Sequence, residues 1–494
     1  MIAKKDLKDK LEPLIYEKLK KESYEVIKID PIKLLTWNRL DLAFRLFFLE
    51  NKNSKIGEEL YTYVISAQTF NTFKEQGNEH KSSSREYIKY FNLTYEDIKK
   101  NGFDKKRTLI PLSNSNTILN GAHRIASLLH LGLDVFCIRT ELPDMIADYK
   151  YLYEMNVPEI ILDTAVIQFL DYAENTYIGF LWPSGNKNKE LAESKFSNVI
   201  YKKEIILNRN GSFNLLYELY KHMDWVGNEN NGFRGIQQKL IECFPELIPF
   251  TVVVFQADNI KSVREIKENI RQINNIGYSS IHITDTKEEA IRISRLIFNQ
   301  NGMHFLNYAN PTKSKKLYSQ LSQFHEFVDE NKINKKDIIL DASILLSLYG
   351  LREANDVDYI LKDGVKVTIP YNNIENHDDE LQYYSKSKST LINDPKNYFY
   401  FRGLKFVGYE SLYSMKKKRN QIKDIHDIEL MRSLVKGTNY QKIKARLKQK
   451  ILFFKIKTLH NIKNRIIEAL KFFKLYSIVK KIYKIFIRSK YNGN

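Results

Sequence analysis

The 494-residue sequence has only two cysteines, Cys137 and Cys243. They stand far apart and in no metal-type spacing. Neither a disulfide framework nor a cysteine zinc site is expected, and reduced, cytosolic thiols are the natural reading. No stretch approaches the ~20 uninterrupted apolar residues that a spanning helix needs. Residues 1–21 alternate charge and apolar groups without a continuous apolar core, so no signal peptide is expected there, and residues up to about Glu25 read as an amphipathic leader helix. Acids are nearly absent from one region: residues 441–494 carry sixteen Lys or Arg against a single acid, Glu468. That segment alone holds +15 of the overall +19, leaving +4 for residues 1–440. The body is therefore close to balanced and lacks the charge signature of a nucleic-acid binder.

What the chain does have is apolar and aromatic mass. Hydrophobic residues make up 43% and aromatics 13%, enough to build packed cores and to exclude a disordered protein. The length predicts about three domains. The expected fold class is α/β (α+β) and multidomain. Composition and pattern divide it into residues 1–142, a central α/β domain with a mainly parallel sheet at 143–311, a third α/β domain at 312–440, and a basic helical tail at 441–494.

The most informative stretch is 341–358, Asp-Ala-Ser-Ile-Leu-Leu-Ser-Leu-Tyr-Gly-Leu-Arg-Glu-Ala-Asn-Asp-Val-Asp. A strand at 337–340 runs into a short apolar helix and a Gly-Leu-Arg turn, and Asp356-Val-Asp358 leads a second strand. Side chains alternate faces on a strand, so Asp356 and Asp358 point the same way. Two neighbouring carboxylates repel unless a cation lies between them, and paired oxygen ligands suit Mg²⁺, which normally brings a nucleotide phosphate with it.

This segment resembles the nucleotidyltransferase superfamily. The resemblance implies that the small-residue turn at Asp341-Ala342-Ser343 contacts phosphate through Ser343, with Arg352 as a further phosphate ligand. It also implies that Asp356 and Asp358 are catalytic metal ligands. It extends to a strand-like segment at 398–409 and a closing helix from Glu410. Ala342 stands where the family has Gly. A third carboxylate is sought among Asp378, Asp379 and Asp394, with His377 and Glu380 beside them in a polar loop that also reads as plain exposed surface. Lys386, Lys388, Arg402 and Lys405 are candidate phosphate contacts.

A second phosphate-type arrangement lies at 108–139. Two strands, 108–112 and 117–119, precede Asn120-Gly-Ala-His-Arg, a sharp turn into a helix closed by Gly132; a strand follows at 134–139. A helix N-terminus offers free N–H groups and a positive dipole end. Gly121 permits close backbone approach, and Arg124 can grip two phosphate oxygens. His123 reads either as a site residue or as a capping histidine. The pattern resembles the ParB/sulfiredoxin N-terminal fold in Gly121, His123, Arg124, Ala126 and Gly132, with Asn120 where that family has Asp. The helix containing Asn38, Arg39 and Asp41 and the loop 77–81 are similar to ParB-like proteins encoded near cell-surface polysaccharide genes. The resemblance implies nucleotide or phosphate binding by Gly121, His123 and Arg124, with His123 in a catalytic role.

The middle of the chain alternates strands and helices, which predicts ligand groups at strand ends: His282, Thr284 and Asp285, then Asn301, His304 and Asn307. Thr284 and Asp285 read more readily as caps of the following helix than as catalytic groups. The segment 224–235, polar and glycine-rich with Trp225 and Arg234, reads as a substrate loop. The tail spaces apolar residues three or four apart between Lys and Arg, the pattern of amphipathic helices with a basic face. Such helices bind anionic membrane surfaces.

Together these features lead to one expectation. The chain is expected to be a transferase of the kinase or nucleotidyltransferase type, dependent on Mg²⁺ and a nucleoside triphosphate, ATP or CTP. It acts on a sugar or polyol-phosphate acceptor in bacterial surface-polysaccharide synthesis, in the cytoplasm at the inner face of the cell membrane. The alternatives are a ParB-like or toxin-like nucleic-acid binder, which the near-neutral body disfavours, and a scaffold that has lost its chemistry, for which Ala342 and Asn120 argue.

Overall fold

The computed structural model describes all residues except 75–80, 229–230, 439, 442, 445–446, 448–450, 452–457, 459–461, 463–464, 474, 477–478 and 480–494. Most of the loop 77–81 and most of the tail 441–494 therefore lie outside the described residues. The chain divides into two compact units, Met1–Leu412 and Tyr413–Asn494. The architecture is mixed α/β with several separate sheets.

At the N-terminus the expected leader helix is instead a small β pair. Strand Ile2–Ala3 pairs with Ser23–Tyr24, and only Pro13–Lys18 between them is α-helical. The apolar residues of this stretch explain the difference. Leu7, Leu11, Leu19 and Tyr24 converge on Leu109 and Ile138 of the neighbouring sheet, which a single straight helix would not allow. That sheet has three strands. Val26–Ile29 runs antiparallel to Val135–Arg139, which runs parallel to Ile110–Leu112. Helix Asp41–Glu50 is buried along nearly its whole length, and Lys55–Gln68, Ser84–Asn101 and Ala122–Leu131 pack around it. Asp41, fully buried, ties these pieces together. Arg39 grips it through two bonds of 2.8 and 2.9 Å, Arg45 adds one at 3.0 Å, and Gln68 another at 3.0 Å. Arg39 also donates to the Ile118 carbonyl, so Asn38-Arg39-x-Asp41 anchors the segment that leads into Gly121.

The central sheet is antiparallel throughout, which corrects the expected parallel one. Its order is Val199–Ile205, Phe250–Gln256, Thr176–Leu181, Ile281–Ile283, and each neighbouring pair runs in opposite directions. The strand–helix alternation in sequence is real, but the helices return the chain with reversed strand direction, and periodicity alone does not encode direction. Phe180, Val252, Val254 and Phe255 are fully buried in this sheet.

The third sheet carries the stretch 341–358. Its order is Ile374–Asn376, Val357–Leu361, Ile338–Asp341, Leu404–Val407, Tyr398–Phe401. The segment expected as one strand over 398–409 is a hairpin, broken by Arg402-Gly403, both at positive φ. Beyond Leu412 the expected single closing helix is two. Tyr409–Arg419 stops at Asn420, at positive φ, and Ile422–Lys436 begins at a Gln421/Asp424 capping box. Within the second unit Asp424 receives Arg419 at 2.8 and 2.9 Å, and Asp427 pairs with Lys416 at 2.9 Å.

Candidate functional site

Strand register sets the character of the site. Ile338–Asp341 and Val357–Leu361 are antiparallel with Asp341 directly opposite Asp358, and the parallel neighbour Ile374–Asn376 puts Glu375 level with Asp358. Three acids thus occupy one row across three strands, with Asp356 two residues before Asp358. Residues opposite one another project on the same face, and like charges there are destabilising.

The acids are not equivalent. Asp341 is fully buried and both of its oxygens are occupied: His377 Nδ1 lies 2.9 Å from Oδ2, and the Tyr384 hydroxyl donates to Oδ1 at 2.5 Å. Burial alone would raise its pKa, but the bond and charge of His377 and the tyrosine bond hold it below the usual carboxylate range. Reciprocally, burial would lower His377, and the Asp341 carboxylate, helped by Asp358 and Glu380, raises it. Asp356 accepts from the Ser343 hydroxyl at 3.0 Å. Asp358 is pushed up to about 6, first by burial and then by the charges of Asp356, Asp341 and Glu375, against the pull of His377. It is the carboxylate of the row most in want of a positive partner.

The turn that delivers Ser343 has unusual backbone. Ala342 sits at φ 54° and ψ −122° and is 5% exposed. Such a conformation is costly for any residue with a Cβ. It is the position at which the sequence carries Ala where Gly is expected.

Of the other sequence candidates here, Asp378 pairs with Lys388, Asp394 caps the turn Pro395–Asn397, and Asp379 is exposed. Arg352 donates to the Glu353 carbonyl at 3.0 Å in the turn after helix Ser343–Leu348. Sequence reading missed Asp341 and Glu375 as members of the acidic row, and Tyr384 altogether. Strand spacing shows that residues two apart share a face, but pairing across strands has no sequence signal of this kind.

The Asn120–Arg124 turn is formed as its glycine demands. Gly121 has φ 94°, and an added Cβ would stand 2.5 Å from Ile110 Cδ1. Gly132, also left-handed, closes the helix. Arg124 donates to the Thr108 hydroxyl and, at 3.4 Å, to Asn120 Oδ1, while Asn120 donates to Glu12. Burial lowers the Arg124 pKa to about 10, and among the described residues it forms no ion pair. His123 lies within an aromatic cluster, 4.7 Å from the Phe91 ring, and its Nε2 is 2.7 Å from the Tyr61 hydroxyl. Burial, then the charges of Arg45, Lys81 and Arg124, keep its pKa well below the usual value, so it is neutral at physiological pH. This geometry gives His123 a packed, hydrogen-bonded place, while Arg124 is held by Thr108 and Asn120.

In the central domain, His282 stands 3.5 Å from Glu289 and packs edge-on to Tyr220, and Asp285 pairs with Lys267 at 2.8 Å. With Trp225 of the glycine-rich segment they border a cavity of about 620 Å³. Thr284 instead accepts from the Ile178 amide at 2.9 Å inside the sheet. Asn301 and Asn307 bond backbone groups, and His304 bonds the Tyr349 hydroxyl at 2.8 Å.

Among the described residues, no group of three or more His, Cys, Asp or Glu side chains is arranged to hold a metal ion, and no helix is long and apolar enough to cross a membrane. Asp341 accepts one hydrogen bond at each oxygen, Asp356 accepts one from Ser343, and Glu375 is exposed. Comparison of the chain with protein-family models, curated proteins and solved structures returned no match.

Proposed function

We propose that the chain is a metal-dependent transferase of the phosphoryl or nucleotidyl type, working at the acidic row of the third sheet. The observation that carries this reading is Asp358. The fold holds its carboxylate in register with Asp341 and Glu375 and two residues from Asp356, where its negative charge is opposed. A divalent cation removes that opposition. Mg²⁺ takes one or two carboxylates and completes its shell with water and phosphate oxygens, so two available acids fit it without a third. Bound there with a nucleoside triphosphate, it would supply neutralisation of phosphate charge.

The protein groups divide the remaining work. Ser343 orients Asp356. Tyr384 and His377 fix Asp341, so that this strand end does not move when charge changes beside it. Transfer of this kind needs chiefly positioning and charge stabilisation, which fixed carboxylates and a rigid sheet provide. Arg124 at the Gly121 turn is read as a second phosphate site. The acceptor class is a sugar or polyol phosphate of a surface polysaccharide, and the basic tail 441–494 is read as the contact with an anionic membrane.

The test is Mg²⁺-dependent nucleotide binding, followed as a thermal shift with ATP, CTP, GTP and UTP. Wild type, Asp356→Asn/Asp358→Asn and Arg124→Ala are compared. The expected result is a shift that needs Mg²⁺ and is lost in the Asp356/Asp358 variant. Loss only in Arg124→Ala moves the nucleotide to the N-terminal turn. No shift with any nucleotide refutes the reading.

A further inference from the structure

The strands that end in the acidic row begin at a cavity of different character. Asp337 precedes Ile338–Asp341 and Lys362 follows Val357–Leu361, and the two pair at 2.8 Å at the far end of both strands. Four residues of strand put this point about 13 Å from Asp341 and Asp358. Here a cavity of about 330 Å³ opens where the N-terminal, central and third-sheet segments meet. That volume lies at the lower end of ordinary small-molecule sites, which run ~300–1,000 Å³.

The charges lining it do not cancel. Glu50 and Asp171 hold Lys336 at 2.7 and 3.2 Å, Asp171 also holds Arg295 at 2.8 Å, and Asp337 holds Lys362. That uses every carboxylate of the lining. Lys405 is the fourth cation and has no acid. It is 4% exposed, and its Nζ donates to the carbonyls of Lys336 at 2.6 Å and Ile392 at 2.8 Å. One of its three donor positions is left. The rings of Tyr398 and Tyr400 lie 4.4 and 5.7 Å from Nζ, and neither hydroxyl has a hydrogen-bond partner among the described residues. Arg295 Nε is likewise buried without a partner. An enclosed lysine facing no acid is costly, and an apolar residue of similar size would remove the cost.

We propose that this cavity is a binding site for a small oxyanion, a phosphomonoester or a carboxylate, recognised by Lys405, Arg295 and the hydroxyls of Tyr398 and Tyr400. One negative charge completes the lining, and its oxygens meet the unused donors. The groups facing Lys405 also make the site responsive to pH. Burial, with Lys336, Arg295 and Lys362 nearby and only Asp337 opposing, lowers its pKa to about 7. His130, Tyr398 and Tyr400 complete the titratable lining; His130 is lowered by burial, and both tyrosines are raised by it. An anion beside Nζ restores its proton, so binding above pH 7 is accompanied by proton uptake.

The site does not depend on the transferase reading, and its test uses neither nucleotide nor Mg²⁺. Calorimetric titration of the full chain with sulfate, and separately with acetate, is run at pH 8 in buffers of different ionisation enthalpy. Sulfate stands in for phosphate and does not itself titrate there. The expected result is one oxyanion per chain with uptake of up to one proton. Lys405→Met weakens affinity roughly tenfold or more and abolishes the uptake, in line with loss of a charged hydrogen bond. Tyr400→Phe weakens binding less and keeps the uptake, and so serves should Lys405→Met fail to fold. Preference for sulfate or acetate separates a phosphomonoester from a carboxylate. Three outcomes overturn the proposal: no binding of either ion, equal affinity in wild type and in both variants, or loss of binding in Arg124→Ala with retention in Lys405→Met.

Discussion

Replacing Asp358 by Asn is expected to stabilise the protein at pH 8 and to leave its stability nearly unchanged at pH 4. The folded carboxyl titrates at about 6 against an ordinary 3.8. At about 1.36 kcal/mol per pH unit that difference amounts to ~3 kcal/mol. Asp358 is partly open to solvent, so screening reduces the figure to about 1–2 kcal/mol. The sign follows from the direction of the shift. The folded state holds this proton more tightly than the unfolded chain, so stability falls as pH rises from about 4 through 6, and the penalty is complete above that. Asparagine has nearly the same shape and no charge, so it gains only where the carboxylate is ionised. At ~2 cal/mol/K of unfolding entropy per residue, the gain in a unit of this length is about 1–2 °C in Tm. Scanning calorimetry of both proteins at pH 4 and pH 8 measures it directly. A lower Tm for Asp358→Asn at pH 8, or an equal rise at both pH values, refutes the claim that charge repulsion across the row acts on Asp358.

His377→Gln should cost about 1–3 kcal/mol by removing the charged partner of a fully buried carboxylate. Because the folded pKa of His377 is raised and that of Asp341 lowered, the cost should be largest between them and shrink as pH climbs past the raised value. Urea unfolding of both proteins from pH 5 to 9 shows this, and a pH-independent difference contradicts it. Gly121→Ala should destabilise by ~1–3 kcal/mol, because φ is 94° and the new Cβ meets Ile110 and Arg124; an unchanged Tm would mean the turn relaxes freely. Removing residues 441–494 should abolish sedimentation with anionic liposomes and leave the melting of the remainder intact, and retained liposome binding would place the membrane contact elsewhere.

How far the fold was legible varied with the kind of information each element needs. The strand–turn–helix at Ile338–Leu348 and the Gly121 and Gly132 helix boundaries were readable because local chemistry determines them. A positive φ calls for Gly, and an apolar run of three, Ile338 to Leu340, between polar flanks makes a buried strand. The leader helix, the parallel central sheet and the single strand at 398–409 failed for a shared reason. Each depends on what a segment packs against, and a sequence period carries neither strand direction nor partner. The site follows the same division. Asp356 and Asp358 were visible as an alternating pair and Ser343 as the turn residue beside them. Asp341 and Glu375 became members of the row only through register, and Tyr384 reaches Asp341 across 43 residues of chain. Lys405 was visible only as one of four basic residues. Of these, Lys386 meets Asn397, Lys388 meets two acids, and Arg402 covers the Tyr318 ring. Lys405 lies over the Tyr398 ring and borders the cavity.

The third sheet carries unbalanced charge of opposite sign at two places, at Asp358 in the acidic row and at Lys405 of the neighbouring strand Leu404–Val407, whose Nζ reaches the Lys336 carbonyl at the other end of the sheet. At one end a carboxylate is held against its neighbours, and at the other a lysine is buried without an acid. Each lowers stability at neutral pH, and for each an isosteric neutral residue would remove the loss. Several buried acids elsewhere among the described residues are compensated, Asp41 by Arg39 and Arg45, Asp163 by Lys203, and Asp171 by Arg295 and Lys336, while Arg124 at the Gly121 turn is another buried cation without an ion pair. Asp358 and Lys405 lie on the same sheet and carry uncompensated charge of opposite sign. On the readings proposed above, a cation would neutralise the first and an anion the second, and their separation along strands of fixed length keeps the two groups from neutralising each other.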